Sequence, residues 1–70
     1  MLKSNPPTLR EILAYRKPTD ASFIDVGKHN YEYPRYPKTI YVGSVDNIPE
    51  DVLNLKIIAW FRRDGIYISE

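Results

Sequence analysis

The sequence predicts a small α+β fold, in which an antiparallel sheet of three or four strands packs on one N-terminal helix. Three observations lead to this prediction. A helix-start motif precedes apolar residues at helical spacing near the N-terminus. Two stretches in the middle of the chain alternate apolar and polar residues, as half-buried strands do. Near the C-terminus, an Asp-Gly pair separates two β-rich runs, which is a strong signal for a β-hairpin.

The predicted helix covers about residues 8–17 and begins in the stretch TLREILAYR. Thr8 and Glu11 have the spacing of a capping box, in which each side chain hydrogen bonds to the backbone N–H of the other residue. Pro18 should end the helix, because proline cannot continue the helical hydrogen bonds. Residues 1–7 contain two consecutive prolines and are expected to form an extended arm.

Two strands are predicted in ASFIDVG (residues 21–27) and KTIYVG (residues 38–43). Residues 28–37 lie between them and contain prolines, so this stretch is predicted to be an irregular crossing rather than a central strand. The following stretch, SVDNIPEDVLN, predicts a loop and one helical turn, with Pro49 near the first helical position.

The C-terminal stretch KIIAWFRRDGIYISE is predicted to form a β-hairpin with a two-residue turn at Asp64-Gly65. This turn would place Arg62 opposite Tyr67. Because side chains alternate along strands, the hairpin then has two faces. The face predicted to join the core comprises Ile57, Ala59, Phe61, Ile66 and Ile68, and the other face comprises Ile58, Trp60, Arg62, Tyr67 and Ser69.

Trp60, Arg62 and Tyr67 form the first candidate binding site, on the second hairpin face. Trp, Tyr and Arg are the residue types that dominate interface hot spots. An arginine over an aromatic ring contributes about 0.5–1 kcal/mol when exposed. The alternative is that this face packs under the 28–37 crossing and stabilises a sheet covered on both sides.

The stretch NYEYPRYPKTIYV, which interleaves tyrosines with basic residues, is the second candidate binding site. Rings beside cations can stack on single-stranded bases. Tyrosine also supplies a large protein contact area at low cost in entropy. A third interpretation is purely structural, with the prolines stiffening a long connection. The residues assigned to this site are Tyr31, Tyr33, Arg35, Tyr36 and Lys38.

No catalytic, metal or cofactor site is predicted. The chain has no cysteine, so it has no disulfides or thiolate ligands. His29 is the single histidine, and no nucleophile and acidic residue accompany it at a recognisable spacing, so we expect a surface position near a turn. The acidic stretch DNIPED lacks the spacing of a calcium loop. The three glycines lie too far apart to form a phosphate-binding loop.

The length, net charge and apolar runs of the chain argue against several classes of function. Seventy residues allow one domain at most. A formal charge of +1 argues against a polycation that binds nucleic acid by counterion release. No apolar run reaches the length of a signal peptide or a membrane span, so we expect a soluble, cytoplasmic protein.

We therefore expect a non-enzymatic protein-binding module, such as a small inhibitor or adaptor that occludes a larger protein or nucleoprotein complex. As a base rate, small stand-alone proteins of this kind are often encoded by viruses or mobile elements. The first alternative is a small single-stranded nucleic-acid-binding protein. The second is a structural subunit or homodimer, in which the terminal strand, ending at Ile68-Ser69-Glu70, pairs with the edge of a neighbouring sheet. The sequence carries no recognisable family signature.

Overall fold

A computed structural model describes residues 5–33 and 35–70 of the chain. The fold is α+β, as predicted, with a four-stranded sheet and two short α-helices. Part of the expected arm, residues 1–4, lies outside the described residues. The elements in chain order are α1 (Leu9–Leu13), β1 (Phe23–Lys28), β2 (Lys38–Ser44), a 3₁₀ turn (Val45–Asn47), α2 (Glu50–Leu53), β3 (Ile57–Phe61) and β4 (Ile66–Ser69).

The strand order across the sheet is β2-β1-β4-β3, which makes β2 and β3 the edge strands. The β1–β2 and β3–β4 pairings are antiparallel, as expected, whereas the central β1–β4 pairing is parallel. After β2, the chain passes through α2 to the far edge, and the hairpin then returns β4 to the middle. The terminal strand is therefore paired on both sides, and the prediction that it offers a free edge to a neighbouring chain is wrong.

The capping box at the start of α1 is confirmed. Thr8 Oγ1 accepts a hydrogen bond from the Glu11 N–H at 3.2 Å, and Glu11 Oε1 accepts one from the Thr8 N–H at 2.9 Å. The hydrogen bond from the Thr8 backbone N–H, and to a smaller degree one from the Thr8 hydroxyl to Glu11 Oε1, lowers the pKa of the Glu11 carboxyl. The Leu9 N–H donates to the Leu55 carbonyl at 3.0 Å, so the helix start is also fixed to the segment before β3.

The helix ends earlier than predicted, at Leu13 rather than near residue 17. The Arg16 N–H donates to the carbonyl of Leu13, three residues back, so the chain tightens into a turn. The next N–H group, that of Lys17, donates to the Asp20 carboxylate at 3.0 Å. Pro18 disfavours helical geometry at Lys17, and the aspartate supplies the alternative hydrogen bond.

The hydrophobic core lies between the two helices and one face of the sheet, which we call the covered face. Leu9 and Ile12 point into it from α1, at helical spacing. Alternate residues of β1 meet them from the sheet. Burying one such side chain contributes about 1.5–3 kcal/mol. The core residues are Leu9, Ile12, Ile24, Val26, Val52, Ile57 and Tyr67.

The C-terminal hairpin is confirmed, but its turn differs from the predicted one. Phe61 pairs with Ile66, so the connection contains four residues rather than two. A type I′ turn would need positive φ at both Asp64 and Gly65. Among the described residues only Gly65 has positive φ, at 69°, and its N–H donates to the Arg62 carbonyl at 3.3 Å.

Gly65 also allows the segment before β1 to approach the turn closely. A Cβ at this position would lie 2.6 Å from the carbonyl oxygen of Phe23 and 3.0 Å from the Cβ of Ala21. The Ala21 N–H donates to the Arg62 carbonyl at 3.2 Å, which holds this segment against the turn. The glycine is therefore required by two constraints, backbone conformation and space.

The observed register reverses the predicted faces of the hairpin. Tyr67 and Ser69 of β4 are buried on the covered face, so Ile66 and Ile68 point to the opposite side. The prediction that Phe61 and these two isoleucines face the core is wrong. Sequence alternation separates two faces but does not tell which one the helices cover. A bulge between Ile57 and Ala59 keeps Ile57 on the covered face.

The turn geometry makes a prediction about two adjacent positions. Gly65→Ala should lower the free energy of unfolding by about 1–3 kcal/mol or more, because alanine resists positive φ and its Cβ meets a backbone carbonyl. Asp64→Ala should change it by less than about 0.5 kcal/mol, because Asp64 is exposed and has negative φ. Urea unfolding followed by circular dichroism measures both values. Similar losses for the two variants would contradict the four-residue turn.

Candidate functional site

The face of the sheet opposite the helices, which we call the open face, has no covering element among the described residues. Asp25 pairs with Val42 on one side and with Ile66 on the other, so these three side chains point the same way. The open face comprises Phe23, Asp25 and Gly27 of β1, Thr39, Val42 and Ser44 of β2, Ala59 and Phe61 of β3, and Ile66 and Ile68 of β4.

The open face is largely apolar and accessible to solvent. Phe23 is 65% exposed and Phe61 is 59% exposed, and Val42 and Ile66 are exposed as well. Single apolar side chains on a surface are ordinary, whereas a continuous apolar area rimmed by polar residues marks an interaction site. Here apolar side chains from all four strands share one face of the sheet, with the Asp25 carboxylate between Val42 and Ile66.

The first predicted site, Trp60, Arg62 and Tyr67, does not form a shared exposed surface. Tyr67 has no exposed area, so the hairpin face is covered at this residue, but by the helices and not by the 28–37 crossing. Trp60 pairs with Tyr67 on the covered face and keeps 36% of its surface exposed, because β3 is an edge strand. Arg62 Nη1 donates to the carbonyl of Ile12 at 3.0 Å and lies 3.9 Å from Asp20 Oδ2. Arg62 therefore ties the hairpin to α1.

Tyr67 also has an unusual polar environment. Its burial raises the pKa of the phenol, while the Arg62 cation acts in the opposite direction. Among the described residues, neither the Tyr67 hydroxyl nor the Ser69 hydroxyl has a hydrogen-bond partner. Both hydroxyl groups come from β4 and are buried on the covered face.

The second predicted site is a loop organised by Asn30, which we call the tyrosine loop (residues 29–33 and 35–37). Asn30 Oδ1 accepts hydrogen bonds from the N–H groups of Glu32 at 3.1 Å and Tyr33 at 3.2 Å. Its Nδ2 donates to the Tyr36 carbonyl at 3.3 Å. Such side-chain to backbone bonds define tight turns without a strand or helix. One asparagine thus fixes the backbone that carries the tyrosines.

The tyrosine loop presents its rings to solvent. Tyr31, Tyr33 and Tyr36 are all more than 60% exposed. Arg35 is exposed beside them and, with Glu32, Tyr33 and Tyr36, lines a shallow depression of about 220 Å³. Lys38 is exposed at the start of β2. The residues predicted for this site are therefore all accessible.

Two nearby aromatic side chains have structural contacts instead. The His29 ring packs edge-on against the Tyr31 ring, with the ring centres 4.5 Å apart, and its backbone N–H donates to the Ser69 carbonyl at 2.8 Å. Tyr41 packs against the core and donates its hydroxyl hydrogen bond to the Ser44 carbonyl at 2.7 Å.

Residues 5–33 and 35–70 contain no group of three His, Asp or Glu side chains that could hold a metal ion. In the same part of the chain, no helix is long and apolar enough to cross a membrane. No protein-family model, curated protein or solved structure matches this chain.

The sequence predictions missed the open face, although one signal for it was present. In β1, Phe23 and Ile24 are adjacent large apolar residues, and in β4 three such residues follow one another from Ile66. A strand with one face in water normally alternates apolar and polar residues. Adjacent apolar residues on two strands therefore indicate a sheet that is apolar on both faces, of which the described helices cover one.

The burial of Tyr67 predicts a specific loss of stability at high pH. Because its pKa in the folded protein is above the ordinary value of 10.0, the native state holds the phenol proton more tightly than the unfolded chain does. The resulting stability is fully present below about pH 10 and is lost as the pH rises through the folded-state pKa. Tyr67→Phe should remove this part of the alkaline destabilisation.

Urea unfolding of both proteins at several pH values between about 8 and 11 measures this difference. At pH 8 the variant should be as stable as the wild type within about 1 kcal/mol, because it loses a buried hydroxyl without a partner among the described residues. Tyr15→Phe is the matched control, because Tyr15 is highly exposed. The same pH dependence in all three proteins would contradict the burial of Tyr67.

Proposed function

We propose that this chain is a non-enzymatic protein-binding module, a small inhibitor or adaptor that docks on a larger protein through its open face. One observation carries this proposal: apolar side chains from all four strands share the open face, and Phe23 and Phe61 among them are well exposed. Covering this area with a partner would remove apolar surface from water, which is the main favourable contribution to protein association.

The tyrosine loop extends this surface at one end of the sheet. Pro37, the last residue of the loop, lines the same cavity on the open face as Ile66 and Ile68. The loop and the open face are therefore adjacent. Tyrosine rings on a hydrogen-bonded loop supply contact area with little loss of conformational entropy. A partner can thus contact the apolar face and the tyrosines together.

A second candidate function, single-stranded nucleic-acid binding, is favoured by the tyrosine loop alone. Its exposed rings lie beside Arg35, and rings next to cations can stack on unpaired bases. The formal charge of +1 weakens this alternative, because the electrostatic part of nucleic-acid binding depends on many phosphate contacts. The open face has no role in this alternative.

The proposal predicts that partner binding depends on the aromatic residues of the open face. The tagged protein is used to capture partners from a lysate, and the best-enriched partner is then purified. Phe23→Ala and Phe61→Ala should each weaken the dissociation constant at least about tenfold, or about 1.4 kcal/mol, as truncation of an aromatic anchor does. Titration calorimetry with the purified partner measures this change.

Tyr15→Ala is the matched control, because Tyr15 is also a highly exposed aromatic residue but follows α1 on the other side of the sheet. It should bind like the wild type, and circular dichroism should show that all variants are folded. Equal affinity of wild type and both phenylalanine variants would reject the open face. Binding of a labelled oligonucleotide at low salt that is lost in Tyr36→Ala would favour the nucleic-acid alternative.

A further inference from the structure

A cavity on the open face lies directly beside Asp25. The geometry points to this cavity as the receptor for one lysine or arginine side chain of a partner protein, flanked in that partner by apolar residues. This inference rests on the proposed function and specifies the chemistry of the partner.

Gly27, the fifth residue of β1, lines this cavity and lies close to Pro37 and Lys38. A Cβ on Gly27 would lie 3.0 Å from the Cβ of Pro37 and 3.3 Å from the Lys38 carbonyl oxygen, so even a methyl group would intrude on its neighbours. The volume of the cavity is about 180 Å³. Its lining residues are Asp25, Gly27, Pro37, Thr39, Ile66 and Ile68.

This volume suits a side chain better than a free small molecule. Pockets for small molecules usually measure about 300–1,000 Å³. The walls contributed by Pro37, Ile66 and Ile68 are apolar, while the Asp25 carboxylate provides a negative charge at the same cavity. Lysine and arginine combine an apolar stem with a terminal cation, which matches such a lining. The cavity therefore fits a long basic side chain.

Asp25 also makes a neutral apolar partner unfavourable. Its register partners on the two neighbouring strands are Val42 and Ile66, both apolar. The ion pairs among the described residues are Arg10–Glu50 and Arg62–Asp20, and neither involves Asp25. A partner that covered the open face would remove this carboxylate from water, which is costly unless a cation arrives with it.

The same carboxylate disfavours a second copy of this chain as the occupant. A twofold-symmetric dimer uses the same surface on both subunits. Packing two open faces together would thus bring two copies of Asp25 into one apolar interface. Two carboxylates in one apolar interface repel each other. The open face therefore favours a partner that is not a second copy of this chain and whose surface is basic.

The experiment is a selection from a phage-displayed library of random peptides on the purified, immobilised protein. Three proteins are used in parallel: the wild type, Asp25→Lys, and Asp51→Asn as the matched control. Asp51 is an exposed carboxylate of α2, on the other side of the sheet. Peptides from the wild-type selection are then synthesised in two forms, one with the basic residue and one with norleucine in its place.

Wild type and Asp51→Asn should select peptides with Lys or Arg at one fixed position between apolar residues, and Asp25→Lys should select Asp or Glu there. The norleucine peptide should bind about tenfold to a hundredfold more weakly, as expected for loss of a hydrogen bond to a charged group. The basic peptide should shift the backbone NMR signals of Asp25, Gly27 and Ile68.

Three results would overturn the inference: no selected peptide that shifts these signals, no fixed basic position, or equal binding of the norleucine peptide. Failure here is distinguishable from failure of the proposed function. If Phe61→Ala weakens binding of the captured partner while Asp25→Asn does not, the open face binds a protein without this basic contact. If neither substitution affects that partner, the docking surface lies elsewhere.

Discussion

Burial of the Tyr67 ring is the contact on which the rest of the structure depends. Tyr67 lies on β4, between β1 and β3, and pairs with Val26 on one side and Trp60 on the other. Because side chains alternate along a strand, placing this ring under the helices sends Ile66 and Ile68 to the opposite side. One buried residue thus determines the chemistry of both faces of the sheet. The inward position also places the phenol near Arg62, whose guanidinium holds the hairpin to α1.

Under the proposed function, stability and recognition use opposite faces of one thin sheet. The covered face carries the core that such a short chain needs to fold. The open face contributes little to that core, so the partner we propose would cover it without disturbing the core. Asp25 is a charged residue between apolar neighbours on the open face. Its exposed carboxylate also limits non-specific association of that face. The tyrosine loop adds polar aromatic contacts beside it.

Local sequence signals predicted the helices and strands. The features that the sequence could not predict depend on packing between distant segments. The capping box at Thr8, the hairpin around Gly65 and the irregular crossing follow from neighbouring residues, and all three are confirmed. The parallel β1–β4 pairing joins segments about forty residues apart, and no local pattern encodes it. The faces of the hairpin were assigned wrongly because Phe61 and the isoleucines are more apolar than Tyr67. The helices cover the side of β4 that carries Tyr67, and this outcome depends on the packing of the whole sheet.

The most direct test of this account measures which side chains of the free protein meet solvent. A soluble gadolinium chelate broadens NMR signals of accessible protons, and methyl and aromatic signals report each face separately. The account predicts strong broadening for Val42, Ile66 and Phe61, and little broadening for Ile24, Val26 and Tyr67. Protection of Phe61 and Ile66 together with strong broadening of Tyr67 would show that the helices cover the other face, and it would contradict the account.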